Sequence, residues 1–336
     1  MLCSGISIAV MVILIITRPI NSHLKKKLDI KTIENFIDDF YLIHTFESLE
    51  EANKVFEAYV EEMQSFGFVI SKAKLVYPAK SIRMLGFQVS SDRMIIEVDL
   101  DKLEEVKDLL EDFKEDYVRI REVATVLGKL LNMNKGMKVN ISCFLAKTAQ
   151  FIIKTVGIST PEEDWERWTA VPWWVMEELE SVIEKIPGWS GRSLELPTKA
   201  VVFSQNDFYQ ATEDTIWYAG DAGEQGCVSY NLRERYRFKT VFFSLSDRSL
   251  SSSLRELLSV IYLVEDEKLV PTGAKLHYVT DNRALTWWTS KGSIQLNSAE
   301  LLQRLALTLM RRNVSLVTAW APRSSDLISF ADHTIR

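Results

Sequence analysis

A chain of 336 residues, 47% hydrophobic and 26% charged, has the length for two or three domains with sizeable cores and the composition of an ordinary globular protein. Three widely spaced cysteines (Cys3, Cys143, Cys227) argue against a disulfide framework and for a reducing, intracellular compartment, and the four histidines form no zinc spacing. The net charge of −6 does not advertise a nucleic-acid binder, but the sign is uneven: residues 213–336 carry 15 basic and 14 acidic side chains, so the acid excess falls in residues 1–212.

Residues 6–16 form an apolar run. It is shorter than the roughly 20 residues of a membrane span, and it lacks the basic lead and small-residue cleavage site of a signal peptide. Next comes Phe36-Ile37-Asp38-Asp39-Phe40, continued by Tyr41-Leu42-Ile43. It reads as strand, tight Asp-Asp turn, strand. Adjacent carboxylates repel, which gives them little use as a folding device. They suit hard divalent cations, which take oxygen ligands. A solvated Asp-Asp turn accounts for the same five residues.

Residues 47–66 read as a helix, with Ser48 as N-cap, Glu51 completing a capping box, and an apolar stripe of Leu49, Ala52, Val55, Phe56, Tyr59, Met63 and Phe66. Residues 83–87 and 94–98 read as two strands of a hairpin, 99–113 as a charged amphipathic helix, and 118–131 as a second helix. In 147–212, Trp165, Trp168, Trp173 and Trp174 cluster around Pro172. Such a cluster is more simply core than a base-stacking platform. A helix is expected over 174–186, ended by the breakers Pro187-Gly188 and Ser190-Gly191, with strands at 199–204 and 215–219.

Past residue 213 the carboxylates take a regular place. An apolar strand delivers Asp221 into a Gly-rich turn, a helix opened by Ser251 carries Glu256 in its early turns, and a second strand ends at Asp281-Asn282 before a helix through Trp287-Trp288. A third strand covers 314–320, and Asp332 follows Phe330-Ala331. Strands alternating with helices imply an α/β layer in which acids at strand ends converge at one edge. Each acid taken singly reads as well as a helix cap or a surface charge.

These stretches resemble one family in order and spacing. Phe36-Ile37-Asp38-Asp39 resembles the Tyr/Phe-x-Asp-Asp loop of reverse transcriptases. Phe66-Gly67-Phe68, Lys74, Pro78 and Met84-Leu85-Gly86-Phe87 resemble the run that follows it in retroelement polymerases. Gly5-Ile6-Ser7-Ile8-Ala9 with Arg18-Pro19-Ile20 resembles the helix that precedes it, and Arg121-Glu122 with Gly128-Lys129 resembles the thumb helix. Asp221-Ala222, Ser252-Ser253 with Arg255-Glu256-Leu257, Thr280-Asp281-Asn282 and Ala331-Asp332 occur in the order of the attached RNase H domain. Lys291-Gly292-Ser293 and Trp320-Ala321-Pro322-Arg323 extend the likeness to tyrosine-recombinase (DIRS-like) elements. Cys227 stands where that family usually has tryptophan.

The resemblance implies an α/β chain: an α+β palm remnant (1–98), a helical thumb (99–146), a connector (147–212) and an RNase H-like α/β domain (213–336). It implies Mg²⁺ or Mn²⁺ at Asp221, Glu256, Asp281 and Asp332, a polymerase remnant at Asp38 and Asp39, and substrate contacts at Lys74, Gly86 and Asn282. The implied partner is an RNA–DNA hybrid or other nucleic acid, with no small-molecule cofactor and no membrane. The alternative is a degenerate, non-catalytic remnant, or a membrane-held protein if residues 6–16 act as an anchor. The family's fingers and its other metal-binding aspartate have no counterpart ahead of the hairpin, so the expectation is a truncated polymerase. A two-metal site needs that third carboxylate. The purified chain should therefore extend no primer on an RNA or DNA template. Template-dependent incorporation that Asp38→Asn abolishes would contradict this.

Overall fold

The structure, a computed structural model, describes residues 7–36, 39–114, 117–156, 162–194, 201–202, 215–293 and 295–335. The chain divides into two compact units, Met1–Ile82 and Arg83–Arg336, each with its own core, and it is of mixed α/β class.

In the first unit, helix α1 (Ser7–Lys27) continues well past the apolar run and through Pro19. Its last turn holds Lys25, Lys26 and Lys27, cations that the carbonyl end of a helix favours. Leu24 anchors it to Ile30, Ile33, Tyr59 and Met63 in a small core. Among the described residues no helix is long and apolar enough to cross a membrane. Strands β1 (Thr32–Phe36) and β2 (Asp39–Ile43) form the expected antiparallel hairpin. Phe36 pairs with Asp39, so Asp39 opens β2 instead of sitting in the turn. Ile37 and Asp38 lie outside the described residues.

Helix α2 (Leu49–Ser65) starts where its cap dictates, with Ser48 Oγ accepting from the Glu51 amide at 3.1 Å. The Glu51 carboxylate reaches one residue further back than the capping box requires, to the Glu47 amide at 3.0 Å. The apolar stripe is narrower than its sequence: Ala52, Tyr59 and Met63 are buried, whereas Leu49 and Phe66 are exposed.

Strand β3 (Ser81–Met84) leads into the second unit and is followed by β4 (Phe87–Ser90) and β5 (Ile95–Val98). The strand expected over 83–87 is thus split. Leu85 and Gly86 both have positive φ, 51° and 82°, as a two-residue hairpin turn of matching twist requires. Asp99 caps α3 (Leu100–Glu111). Beyond it lie β6 (Val118–Arg119), α4 (Ile120–Met133) and α5 (Ala146–Val156), then α6 (Glu162–Trp165), β7 (Trp168–Thr169), α7 (Trp173–Trp189) and β8 (Arg192–Ser193). Their shared core is built from residues such as Val123, Leu130, Leu145, Leu179 and Ile186.

Two expectations fail in this region. Helix α7 runs through Pro187-Gly188 to Trp189, because Ile183, Ile186 and Trp189 are all buried and hold the last turn in the core. The four tryptophans are not one core cluster. Trp165 and Trp174 pack against the core, whereas Trp168 and Trp173 are exposed, with the Arg119 guanidinium 5.4 Å from the Trp168 ring.

The C-terminal part is a six-stranded sheet. Its strands are β9 (Val201–Val202), β10 (Thr215–Ala222), β11 (Gly226–Asn231), β12 (Phe238–Phe242), β13 (Lys275–Thr280) and β14 (Ser315–Trp320), in the order β12-β11-β10-β13-β14-β9. The first three pair antiparallel, and β10, β13, β14 and β9 run parallel. Helices α8 (Leu245–Arg248), α9 (Ser252–Glu265), α10 (Arg283–Lys291), α11 (Leu296–Arg311) and α12 (Asp326–Ile335) complete it. Tyr218 and Tyr278 pack with Leu257 and Ile261 of α9, while Trp217, Ala219 and Val279 pack with Leu327 and Ile328 of α12. Both faces of β10 and β13 are thereby covered, which is why their sequences run apolar instead of alternating.

Gly220 shows how tightly the central strand is held. A Cβ there would collide with Tyr278 Oη, in a buried hydroxyl cluster where Ser229 Oγ lies 2.9 Å from Ser259 Oγ and Ser259 Oγ 3.1 Å from Tyr278 Oη. Gly220→Ala should lower stability by about 1–3 kcal/mol, the usual cost of overpacking. Urea unfolding of the full chain measures it, and an unchanged midpoint would contradict the packing described.

Candidate metal centre

The acids meet because of strand register. β10 and β13 are parallel with Ala219 opposite Val279, so the residues two further on, Asp221 and Asp281, emerge side by side at the same sheet edge. Glu256 arrives from the early turns of α9. Ser251 occupies its N-cap position but makes no side-chain cap hydrogen bond there. One ligand oxygen from each of Asp221, Glu256 and Asp281 lies within 4.8 Å of the others. Asp221 and Glu256 are buried, each 6% exposed.

Each carboxylate is oriented by neighbours. Asp221 Oδ1 accepts from the Ala222 amide at 2.8 Å. Glu256 Oε2 accepts from Thr280 Oγ1 at 2.9 Å, and its Oε1 from Asn282 Nδ2 at 3.1 Å. Asn282 also donates to Ser253 Oγ at 2.9 Å, and its Oδ1 caps α10 by accepting from the Leu285 amide. Asp281 Oδ2 takes a 2.7 Å ion-pair hydrogen bond from Arg323 Nε, and the Asp281 carbonyl accepts from Trp320 Nε1 at 3.1 Å. The Arg283 guanidinium stacks 4.5 Å from the Trp320 ring, and the Lys291 ammonium sits 4.1 Å from the Trp287 ring. Arg323 therefore contacts the acid cluster, Arg283 starts the helix next to it, and Lys291 lies at that helix's far end.

Burial pushes the Glu256 carboxyl up to about 7; the nearby Asp281 and Asp221 charges add to the rise, against the opposing hydrogen bonds from Asn282 and Thr280. The donor set fits a hard divalent cation: all ligand atoms are carboxylate oxygens, clustered and largely withdrawn from water. Such a cation would replace the missing solvation and relieve the repulsion.

The other candidates are placed differently. Asp332 falls on α12, but its side chain lies outside the described residues, as does Asp38. Asp39 is exposed on β2, 3.5 Å from the Tyr41 hydroxyl, and Lys74 is exposed in a short 3₁₀ turn. Gly86 is the second residue of the β3–β4 turn. Among the described residues, Asp39 joins no cluster of three potential metal ligands. Thr280, Ser253 and Arg323 also belong to the site; all three lie within the motifs, but nothing in their spacing says that Thr280 holds Glu256, that Ser253 accepts from Asn282 or that Arg323 pairs with Asp281.

No protein-family profile matches the chain, and no curated protein does. Among solved structures it is similar to the foamy viral protease-reverse transcriptase in complex with an RNA/DNA hybrid, at 13% identity and a TM-score of 0.46, over 93% of this chain and 38% of that one. It is similar as well to that protein in complex with dsDNA, at 14% identity and a TM-score of 0.44, over 97% of this chain and 61% of that one. The chain thus spans less than two thirds of the length of each of these structures.

Glu256 sets a pH dependence whose sign is fixed. Its folded value, about 7, exceeds the ordinary 4.5, so the folded chain keeps a proton that the unfolded chain releases. The stability this contributes is whole below pH 4.5 and is lost as pH rises through about 7, a change of about 3 kcal/mol. In EDTA, wild type should lose stability between about pH 5 and 8, and Glu256→Gln should lose markedly less. Parallel stability profiles for the two proteins would show that Glu256 titrates normally.

Proposed function

We propose that the C-terminal α/β layer is a metal-dependent nuclease site that hydrolyses the RNA strand of an RNA–DNA hybrid. The observation that carries this reading is the gathering of Asp221, Glu256 and Asp281, from two parallel strands and one helix, within 4.8 Å. Mg²⁺ or Mn²⁺ would be held by these three, with Asp332 as the proposed fourth ligand. The chemistry such cations supply is activation of water and stabilisation of the leaving 3′ oxygen. The chain's own residues orient the site. Thr280 and Asn282 fix the Glu256 carboxyl, Arg323 holds Asp281, and Arg283 and Lys291 offer charge to backbone phosphates. Discrimination for RNA would rest on the 2′-hydroxyl in the shallow minor groove.

In this reading the division at 98, 146 and 212 into palm, thumb, connector and RNase H-like domain is kept, and the source is a tyrosine-recombinase-type retroelement. Asp38, Asp39, Lys74 and Gly86 belong to the polymerase-like part. A second reading, a non-catalytic remnant, is favoured by one contact: the 2.7 Å Arg323–Asp281 pair already neutralises a proposed ligand.

Cleavage of a labelled hybrid by the full chain in Mg²⁺ or Mn²⁺ separates the two. Asp281→Asn should cut the rate by at least about a hundredfold, as expected when a ligand of the reacting cation is lost, while leaving the fold intact. If folded wild type cuts no faster than Asp281→Asn, the nuclease reading fails and the remnant reading stands.

A further inference from the structure

Arg323 reaches the acid cluster from the segment between β14 and α12, whose backbone is held at both ends. The Ala321 amide donates to the Thr280 carbonyl at 2.9 Å, and Trp320 Nε1 donates to the Asp281 carbonyl at 3.1 Å. Further on, the Ser325 amide donates to the Pro322 carbonyl at 2.8 Å, and the Ile328 amide to the Ser325 carbonyl at 2.9 Å. Ala321 is buried, and Leu327 and Ile328 seat α12 in the core. The backbone thus fixes where Arg323 starts. The freedom that is left belongs to its side chain.

That side chain stands between the cluster and water. Its Nε donates to Asp281 Oδ2 at 2.7 Å, yet 58% of it is exposed, against 9% of the Asp281 side chain. An ion pair with one partner largely in water is worth little, so it yields to a competitor. Each partner has a second class of ligand open to it. The Asp281 carboxylate is one of the three gathered acids and takes hard cations. The guanidinium fork of Arg323 matches a phosphate as well as it matches a carboxylate.

We propose, resting on the nuclease reading, that Arg323 is a phosphate-binding residue that Asp281 holds in reserve. In the cation-free chain the guanidinium is engaged by Asp281 and balances its charge. Asp281, on becoming a cation ligand, gives up that pair, and Arg323 turns to a backbone phosphate of the nucleic acid at the cluster. No covalent bond forms or breaks in this exchange. The contact in the structure is then the cation-free half of a switch, not a blocked site. Cation and nucleic acid binding are coupled through one side chain, and such coupling is reciprocal.

Affinity of the full chain for a labelled RNA–DNA hybrid, read by fluorescence anisotropy across a salt series, tests this. It is measured in EDTA and in Ca²⁺, a hard cation with the same oxygen preference, and a gel confirms that the hybrid stays intact. In EDTA, wild type and Arg323→Gln should share one slope of log affinity against log salt. In Ca²⁺ the wild-type slope should be steeper than the variant's by about one, the mark of one phosphate contact. Arg323→Lys, which keeps the charge, should follow wild type in both conditions. Without nucleic acid, Arg323→Gln should bind Mn²⁺ several-fold more tightly than wild type, because Asp281 then has no competitor. Equal slopes in Ca²⁺, or a difference of one already present in EDTA, would overturn the proposal. So would an Arg323→Lys slope that matches Arg323→Gln, or unchanged Mn²⁺ affinity in Arg323→Gln. If wild type binds no Mn²⁺ saturably, or no hybrid, the nuclease reading falls and the proposal with it. If Mn²⁺ binds and the hybrid is cut in Mn²⁺ while the Ca²⁺ slopes agree, the proposal alone falls.

Discussion

Parallel pairing of β10 with β13 is the constraint on which the C-terminal half depends. The register that sets Ala219 opposite Val279 also sets Asp221 beside Asp281, so the pairing that builds the core places two carboxylates together. Helices on both faces make this pairing stable. They also keep the sheet edge dry, and Glu256 enters it from α9 with its carboxyl raised to about 7. Stability and chemistry oppose each other here. Three acids in a partly buried cluster destabilise the metal-free fold, and the surrounding core supplies what offsets them.

Neighbouring groups moderate that conflict without removing it. Thr280, Asn282 and the Ala222 amide each donate to a carboxylate, and Arg323 pairs with Asp281. These donors fix geometry as well as charge, since a carboxylate with its oxygens already directed needs little rearrangement when a cation arrives. Arg323 is itself largely exposed, which makes its pair with Asp281 weak enough to exchange. The tie between Ser142 and the end of α10 fixes the opposite end of the same helix. Both ends of α10 are therefore anchored, one beside the acids and the other against Ser142.

Much of this was legible in the residues. Strand-end acids stood out because an apolar strand followed by a carboxylate and a glycine or a helix is a local pattern, readable without knowing what lies beside it. The hairpin at Phe36 and the cap at Ser48 are local in the same way. What failed was tertiary. Pro187-Gly188 signals a helix end, yet burial of Trp189 carries α7 past it. Trp168 and Trp173 belong to an aromatic cluster by composition, but position leaves them in water. Leu85 took a left-handed turn conformation that its side chain gave no reason to expect. The Arg323–Asp281 pair joins residues far apart in the chain, so no spacing rule finds it.

The central claim is that Asp221, Glu256 and Asp281 form one cation-binding unit with a shared proton balance. Titrating the full chain with Mn²⁺ near pH 6.5, in two buffers of different ionisation enthalpy, measures binding and proton release together. Below the raised value of about 7 the Glu256 carboxyl is mostly protonated, so cation binding must expel its proton. The account predicts saturable binding with proton release, loss of that release in Glu256→Gln, and much weaker binding in folded Asp221→Asn. Absence of saturable Mn²⁺ binding, or binding that is the same in wild type and Asp221→Asn, would contradict it.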